Sequence, residues 1–418
     1  MHIANDSATW PAARKLAFKF FFAWVIIFTG SFSFPHAVVP DAGAYTAPFF
    51  ERIVQWVGTH ILQLKPGYTS ALISDSTGFY IHALLTIVYA LMVMLAWTGI
   101  DRNRKSYPLL LHFFYVLIRY YLALQLFTYG FSKLFKWQFY QPEPNTLFTT
   151  VGETYKDLLY WTSMGSSRGY NIFLGAGEVL AATLLLFRRS YRLGTLLALG
   201  IVINILAVNL GFNIDVKLYS FFLLVLTLIL LSSFGQSLLN FLFLPNRRTT
   251  AQPVLQYDTL QEKRLSRVFK MVVLLILLTD GLYPYVSSGN FNDDTAQRPL
   301  LHGAYNVAAD TNSHNPYLWN RLFIHRQSYF ITSDENGNMQ DYELQYDTAG
   351  RRLFIHDYEH SGDYVLAYER LSDTTLRLQG LWHNDSIHLL LQQVNLQQLP
   401  LLQQEFNWTM DLPAAQKK

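Results

Sequence analysis

The sequence predicts a membrane α-helical bundle of about seven spans, followed by an all-β antiparallel barrel or sandwich. Three observations predict it. Long apolar runs recur up to about Tyr285. Clusters of Lys and Arg fall in alternate loops between those runs. From about Leu301, short runs of alternating apolar and polar residues recur about every ten residues, with turn signals between many of them. Composition points the same way: the 418 residues are 51% hydrophobic and only 15% charged, against roughly a quarter charged in a soluble chain. The boundaries that follow are a membrane domain over 1–286, a polar linker over 287–300 and a β domain over 301–418.

A span needs about 20 mostly apolar residues. Seven runs qualify as candidates: Leu16–Phe34, Gly78–Trp97, Leu109–Gly130, Tyr170–Phe187, Leu193–Phe212, Leu218–Leu244 and Val268–Tyr285. The first is too long for a signal-peptide core and no A-x-A-like site follows it, so it is expected to be a span. Arg14, Lys15 and Lys19 stand at its start, and "DRNRKS", "RRSYR", "PNRRTT" and "EKRLSRVFK" fill every second loop. The positive-inside rule then sets the N-terminus in the cytoplasm and the C-terminal domain outside, which suits a bacterial inner membrane with a periplasmic domain. Two outer segments, Ala47–Leu64 and Thr150–Met164, have helical apolar spacing and are expected to be amphipathic helices.

Charges inside the apolar runs are the candidates for function. Arg119 lies ten residues beyond Leu109, roughly 15 Å along the helix. Unpaired at mid-depth it would cost about 3 kcal/mol or more. Glu178 lies nine residues before Phe187 on the next, antiparallel run, so a direct Arg119–Glu178 contact is expected. Gly175 and Gly177 beside it would let the helices approach closely. Lys133 returns to within about 40° of the Arg119 face, which outlines a polar column from Arg119 through Tyr129 to Lys133. Asn204 and Asn209 add polar groups from the following run. The same charges also fit a structural ion pair, and Lys133 also fits a residue snorkelling to the headgroups.

The segments "GFSKLFKW" and "GAGEVLAATLLLFRRSYRLGTLLALGIVI" resemble the DoxX-like family of small membrane proteins. The family pattern is a four-helix core with an arginine and a G-x-x-K in the first helix, a G-x-x-E in the second and a basic turn before the third. Here these are Arg119, Gly130 to Lys133, Gly175 to Glu178, and Arg188–Arg192, within a core at about 109–244. The resemblance implies that fold and a quinone or lipid pocket. The family is associated with membrane redox chemistry, including subunits of a thiosulfate:quinone oxidoreductase.

Several classes are excluded. With no cysteine, the chain has no disulfide, thiolate metal site, C-x-x-C-H haem attachment or cysteine nucleophile. No metal, haem, flavin or catalytic motif appears, so no cofactor is assigned beyond the quinone that the resemblance implies. His356 and His360 in "HDYEH" flank an expected hairpin turn and have no ligand spacing. The basic residues do not form a stripe for nucleic acid. Three functions fit these residues. One is a membrane protein holding a quinone or lipid-like molecule and supporting a redox process. The second is an assembly protein whose outer β domain binds a protein partner. The third is a transporter.

Overall fold

The computed structural model describes residues 2–3, 9–34, 36–65, 74–243, 255–256, 259–308, 314–358 and 362–403. The chain divides into two compact units: Met1–Gln138 with Ile172–Phe291, and Phe139–Asn171 with Asn292–Lys418.

The first unit is helical. Its long helices are α1 (Ala12–Ser31), α2 (Ala42–His60), α3 (Thr77–Ile100), α4 (Pro108–Leu134), α7 (Arg168–Leu186), α8 (Tyr191–Gly211), α9 (Lys217–Ser232) and α11 (Leu260–Ser288), with a short α10 (Gly235–Phe243). The ends follow local chemistry. Pro108 opens α4, where its missing N–H costs nothing. The Ser76 hydroxyl accepts from the Phe79 amide at the start of α3, and Thr259 does the same for Glu262 at the start of α11. Gly289, at φ 65°, ends α11 in the left-handed region. Asp75 takes the amides of Lys217 and Leu218 and so caps α9 from outside.

Four of these helices, α3, α4, α7 and α8, are long and apolar enough to cross a membrane. They mark the chain as a membrane protein. Helices also cover the first and last expected spans, α1 and α11, and both contribute to the apolar core through Val25, Phe28 and Leu277. The expected span Leu218–Leu244 is not one helix. It breaks at Ser233–Phe234, so α9 has 16 residues and α10 has nine. Of the two expected amphipathic helices, the first is α2. The second is a 3-10 turn at Val151–Glu153 followed by α6 (Lys156–Ser166).

The second unit is a closed barrel of eight antiparallel strands: β1 (Gly303–Ala308), β2 (Trp319–Ile324), β3 (Tyr329–Asp334), β4 (Met339–Asp347), β5 (Arg352–Asp357), β6 (Gly362–Arg370), β7 (Thr375–Trp382) and β8 (Asp385–Gln393). Each strand pairs with the next, and β8 closes on β1. The barrel alternative is therefore the fold. Turn chemistry sets the register. His383 and Asn384 both have positive φ, which suits the two-residue turn between the paired Trp382 and Asp385. The Asp334 carboxylate takes the amides of Asn336 and Asn338 in the "DENGN" turn.

Eight strands leave an interior just wide enough for side chains, and large ones fill it. Trp382 is stacked on Tyr364 at 4.1 Å and meets Tyr342 and Trp319 edge-on at 5.0 and 4.9 Å. The alternation fails in β2, where Leu322, Phe323 and Ile324 are all buried. The cause is the segment 139–171, which belongs to this unit. Phe148 of α5 (Pro144–Phe148) packs on Phe323, Ala304 and Ile331, covering the outer face of β1–β3. The compact unit is thus larger than the expected 301–418.

Trp382→Ala should cost the barrel about 3–5 kcal/mol. Near-ultraviolet circular dichroism of the purified chain should show an earlier barrel transition, with the helical signal at 222 nm (~) unchanged.

Candidate functional site

The G-x-x-K of α4 and the G-x-x-E of α7 interlock. A Cβ on Gly130 would lie 3.1 Å from the Glu178 Cβ, and a Cβ on Gly175 would lie 2.6 Å from the Gly130 carbonyl and 2.9 Å from the Leu134 amide. Glu178 therefore stands opposite Gly130, while Gly175 faces the Gly130 carbonyl and Leu134. The two backbones approach where both side chains are missing. Long helical side chains lean toward their own N-terminus, so Lys133 reaches back to Glu178. Its Nζ is 2.9 Å from both carboxylate oxygens. The side chains are only 6% and 4% exposed. The Lys133 ammonium also lies 5.6 Å from the Tyr129 ring.

Tyr129, Lys133 and Glu178 are thus brought together; the other sequence candidates are not. The expected Arg119–Glu178 contact is not formed. Arg119 donates through Nε and Nη2 to the Leu185 carbonyl at 2.9 and 2.7 Å and lies 4.8 Å from the Tyr191 ring. Leu185 is in the last turn of α7, where carbonyls lack helical partners and the dipole favours a cation. With Gly130 set against Glu178, the antiparallel register carries Arg119 to the end of α7 rather than to its middle. Asn209 is buried but bonds to Ser220 at 3.1 Å, tying α8 to α9. Asn204 is exposed on α8.

Three groups escape a scan for charge clusters. Gln125 is 1% exposed, and among the described residues neither polar atom of its carboxamide has a hydrogen-bond partner. It stands four residues from both Tyr121 and Tyr129, within about 40° of each on the helix. Tyr121 is itself bonded to Tyr219 at 2.9 Å. A second orphan, His82, lies between the rings of Phe32 and Phe50 at 4.0 and 4.8 Å. The third is Asp280 of α11, a lone carboxylate in an apolar run. It holds His36 Nδ1 at 2.9 Å and the amides of Val38 and Val39 at 2.7 and 2.9 Å. Phe34 then packs on Tyr219 and Tyr129. The Tyr121–Gln125–Tyr129–Lys133 stripe is the nearest thing to a sequence signal for Gln125.

The second unit has a charged cluster of its own. Glu143 is 4% exposed and accepts from His302 Nε2 at 3.1 Å, from the Arg326 amide at 3.2 Å and from Arg326 Nε. Arg326 continues to Asp293 at 2.6 Å and lies over the Tyr140 ring at 4.1 Å. Burial raises the Glu143 carboxyl. The His302 hydrogen bond and the charges of Arg326 and His325 outweigh that and hold it at about 2. These bonds fasten the 139–171 segment to the barrel within the unit. Elsewhere in the unit His356 pairs with Asp363 across a hairpin at 2.7 Å; His360 lies outside the described residues. Among the described residues no three His, Asp or Glu groups are placed to hold a metal.

The fold and site define a polytopic membrane protein. It has a buried lysine–glutamate pair in its helical unit and a closed, side-chain-filled barrel as its second unit. The chain is 37% identical over 128 residues to the uncharacterized protein YwoB of Bacillus subtilis (strain 168), a stretch that is 31% of this chain and 77% of that protein. It belongs to the family of YwoB. No family model matches the chain, and no solved structure matches it significantly.

Two outcomes follow. Lys133→Met should destabilise the helical unit by about 3–5 kcal/mol, because it leaves a buried carboxylate unpaired, whereas Lys133→Met with Glu178→Leu should melt close to wild type in detergent. The depressed Glu143 carboxyl contributes stability that is complete above its unfolded value of 4.5 and is lost as pH falls toward about 2. Barrel melting should therefore drop across that window, and Glu143→Gln should flatten the drop.

Proposed function

We propose that the helical unit binds an amphipathic, lipid-like molecule whose polar end sits among Gln125, Tyr129, Lys133 and Glu178. The observation that carries this reading is Gln125. A buried carboxamide with no partner loses both donor and acceptor bonds to water, at about 1–3 kcal/mol for each group left unmade. A ligand that offers an acceptor and a donor would satisfy it. A quinone or quinol head group has that chemistry, and an isoprenoid tail suits the apolar helices around it. The chain's resemblance to DoxX-like proteins favours the same ligand. In this reading Glu178 gives or takes the proton that accompanies a change in the head group's charge, and Lys133 steadies its anionic form. The C-terminal barrel faces the periplasm, as the loop charges suggest, and offers a surface for a protein partner.

A second reading is favoured by a specific geometry. The Lys133–Glu178 pair is already saturated, with both oxygens at 2.9 Å, as a purely structural pair would be. In that reading the protein acts in membrane assembly, with the barrel as its docking module.

Mass spectrometry of small molecules that co-purify in mild detergent separates the two. The ligand reading expects a quinone or related isoprenoid with the wild type, and its depletion by at least about tenfold in Gln125→Leu, with melting preserved. Bulk phospholipid alone in both proteins would overturn it and leave the assembly reading.

A further inference from the structure

A second polar feature of the helical unit lies apart from the Gln125 site and does not depend on the reading given to it. At the turn between α7 and α8, basic side chains from three parts of the chain converge. Arg119 lies over the Tyr191 ring at 4.8 Å, and Lys270 of α11 lies over the Phe187 ring at 5.4 Å. Phe187 and Tyr191 flank Arg188 in the turn. Arg119 and Arg188 are both close enough to Lys270, and to His112, for their charges to act on them. Among the described residues, no carboxylate is one of the charges acting on His112, Arg119 or Lys270; the remaining groups acting on Arg119 are the phenols of Tyr120 and Tyr191. None of the four has an ion pair or, apart from Arg119 to Leu185, a side-chain hydrogen bond to a described residue.

Among the described residues, such a cluster lacks its counter-charge. Three permanent cations gathered without an anion repel one another, and the repulsion is stronger beside apolar surface than in water. The place where they gather is accessible. Arg188 is exposed in a non-helical turn. Exposed turn backbone has no place in hydrocarbon, so this turn belongs at the membrane interface. Lys270 immediately precedes the apolar run Met271–Leu278, which puts it at the same kind of boundary. Around the cations, Phe187, Leu193 and Phe269 are exposed apolar side chains. A free anion has no use for them, whereas acyl chains do.

We propose that Arg119, Arg188 and Lys270, with His112 beside them, form a binding site for the phosphate of an anionic phospholipid, its acyl chains lying along Phe187 and the neighbouring apolar side chains. Arg119 has a double role: it caps α7 and turns the rest of its guanidinium toward the phosphate. The site accepts a lipid carrying net negative charge and discriminates against a zwitterionic one, whose own ammonium would meet the three cations.

The test uses the full chain in mild detergent, with dioleoylphosphatidylglycerol, dioleoylphosphatidylcholine or inorganic phosphate added. Native mass spectrometry reads the bound lipid, and thermal melting reads its effect. Arg188→Gln with Lys270→Gln is the test variant, because neither side chain makes a bond that the helices need. Arg264→Gln with Arg267→Gln removes two charges from the first turns of α11 as a control, and Arg188→Lys with Lys270→Arg keeps the charge. The wild type, the control and the charge-keeping variant should each retain phosphatidylglycerol and melt higher with it. The test variant should bind it roughly tenfold or more weakly, with unchanged phosphatidylcholine binding. Equal retention of both lipids by the wild type would overturn the proposal, as would undiminished phosphatidylglycerol binding by the test variant or equal loss in the control. A melting shift from inorganic phosphate equal to that from phosphatidylglycerol would identify a free-anion site and overturn the lipid assignment.

Discussion

The close approach of α4 and α7 at Gly130 and Gly175 is the constraint on which the helical unit rests. Lipid tails are as apolar as leucine, so helices in a membrane gain little from burying apolar surface against each other. What holds them is close packing and polar contact. The two glycines supply the first by removing side chains where the backbones meet. Lys133 and Glu178 supply the second, with Glu178 opposite Gly130 and Lys133 bonded to it. The register fixed there carries Arg119 to the last turn of α7, where it takes a carbonyl, and it sets the Tyr121–Gln125–Tyr129 stripe against the rest of the core. A large residue such as leucine at either glycine would shift all three relations together.

The barrel unit solves a different problem. A meander of short strands must fill its interior and hide its outer face where alternation fails. Trp382 and its aromatic neighbours do the first. The segment 139–171, inserted in sequence between two membrane helices, does the second through Phe148 and is held by Glu143. The carboxylate is costly to bury and is kept ionised by His302 and Arg326, so the loss of either partner would leave a buried charge uncompensated. The unit is therefore assembled from two stretches of chain, and the β sequence alone would lack part of its covering.

Much of this architecture was legible in the sequence. The apolar runs mark helices, and turn residues such as "DENGN" and "HNDS" mark hairpins, because backbone sterics and water act locally. The G-x-x-K and G-x-x-E motifs were legible as motifs. Their pairing was not. Counting depth from the ends of each run brings Arg119 level with Glu178, but depth along a run does not fix which residues face each other; the glycines do. The break at Ser233–Phe234 was hidden because the apolar run continues through it. Asp280 was passed over, because a lone carboxylate near the end of an apolar run shows no partner in sequence: its partners are a histidine and two amides more than 240 residues earlier in the chain. Gln125 carries no charge, so a search for charges passes over it; only the lack of a partner among the described residues makes it conspicuous.

The register of α4 against α7 can be measured directly, because the chain has no cysteine. Gly130→Cys with Glu178→Cys places two thiols opposite each other, whereas Arg119→Cys with Glu178→Cys places them about three turns apart along α4. Disulfides need Cβ atoms about 3.5–4.5 Å apart, roughly a few tenths of an ångström or more beyond the 3.1 Å between Gly130 and Glu178, which a small helix adjustment supplies, whereas a separation of about three turns is out of reach. Mild oxidation in native membranes should close the first pair and leave the second reduced. A cross-link in the second pair with none in the first would contradict the interlocked glycines, and with them the Lys133–Glu178 site.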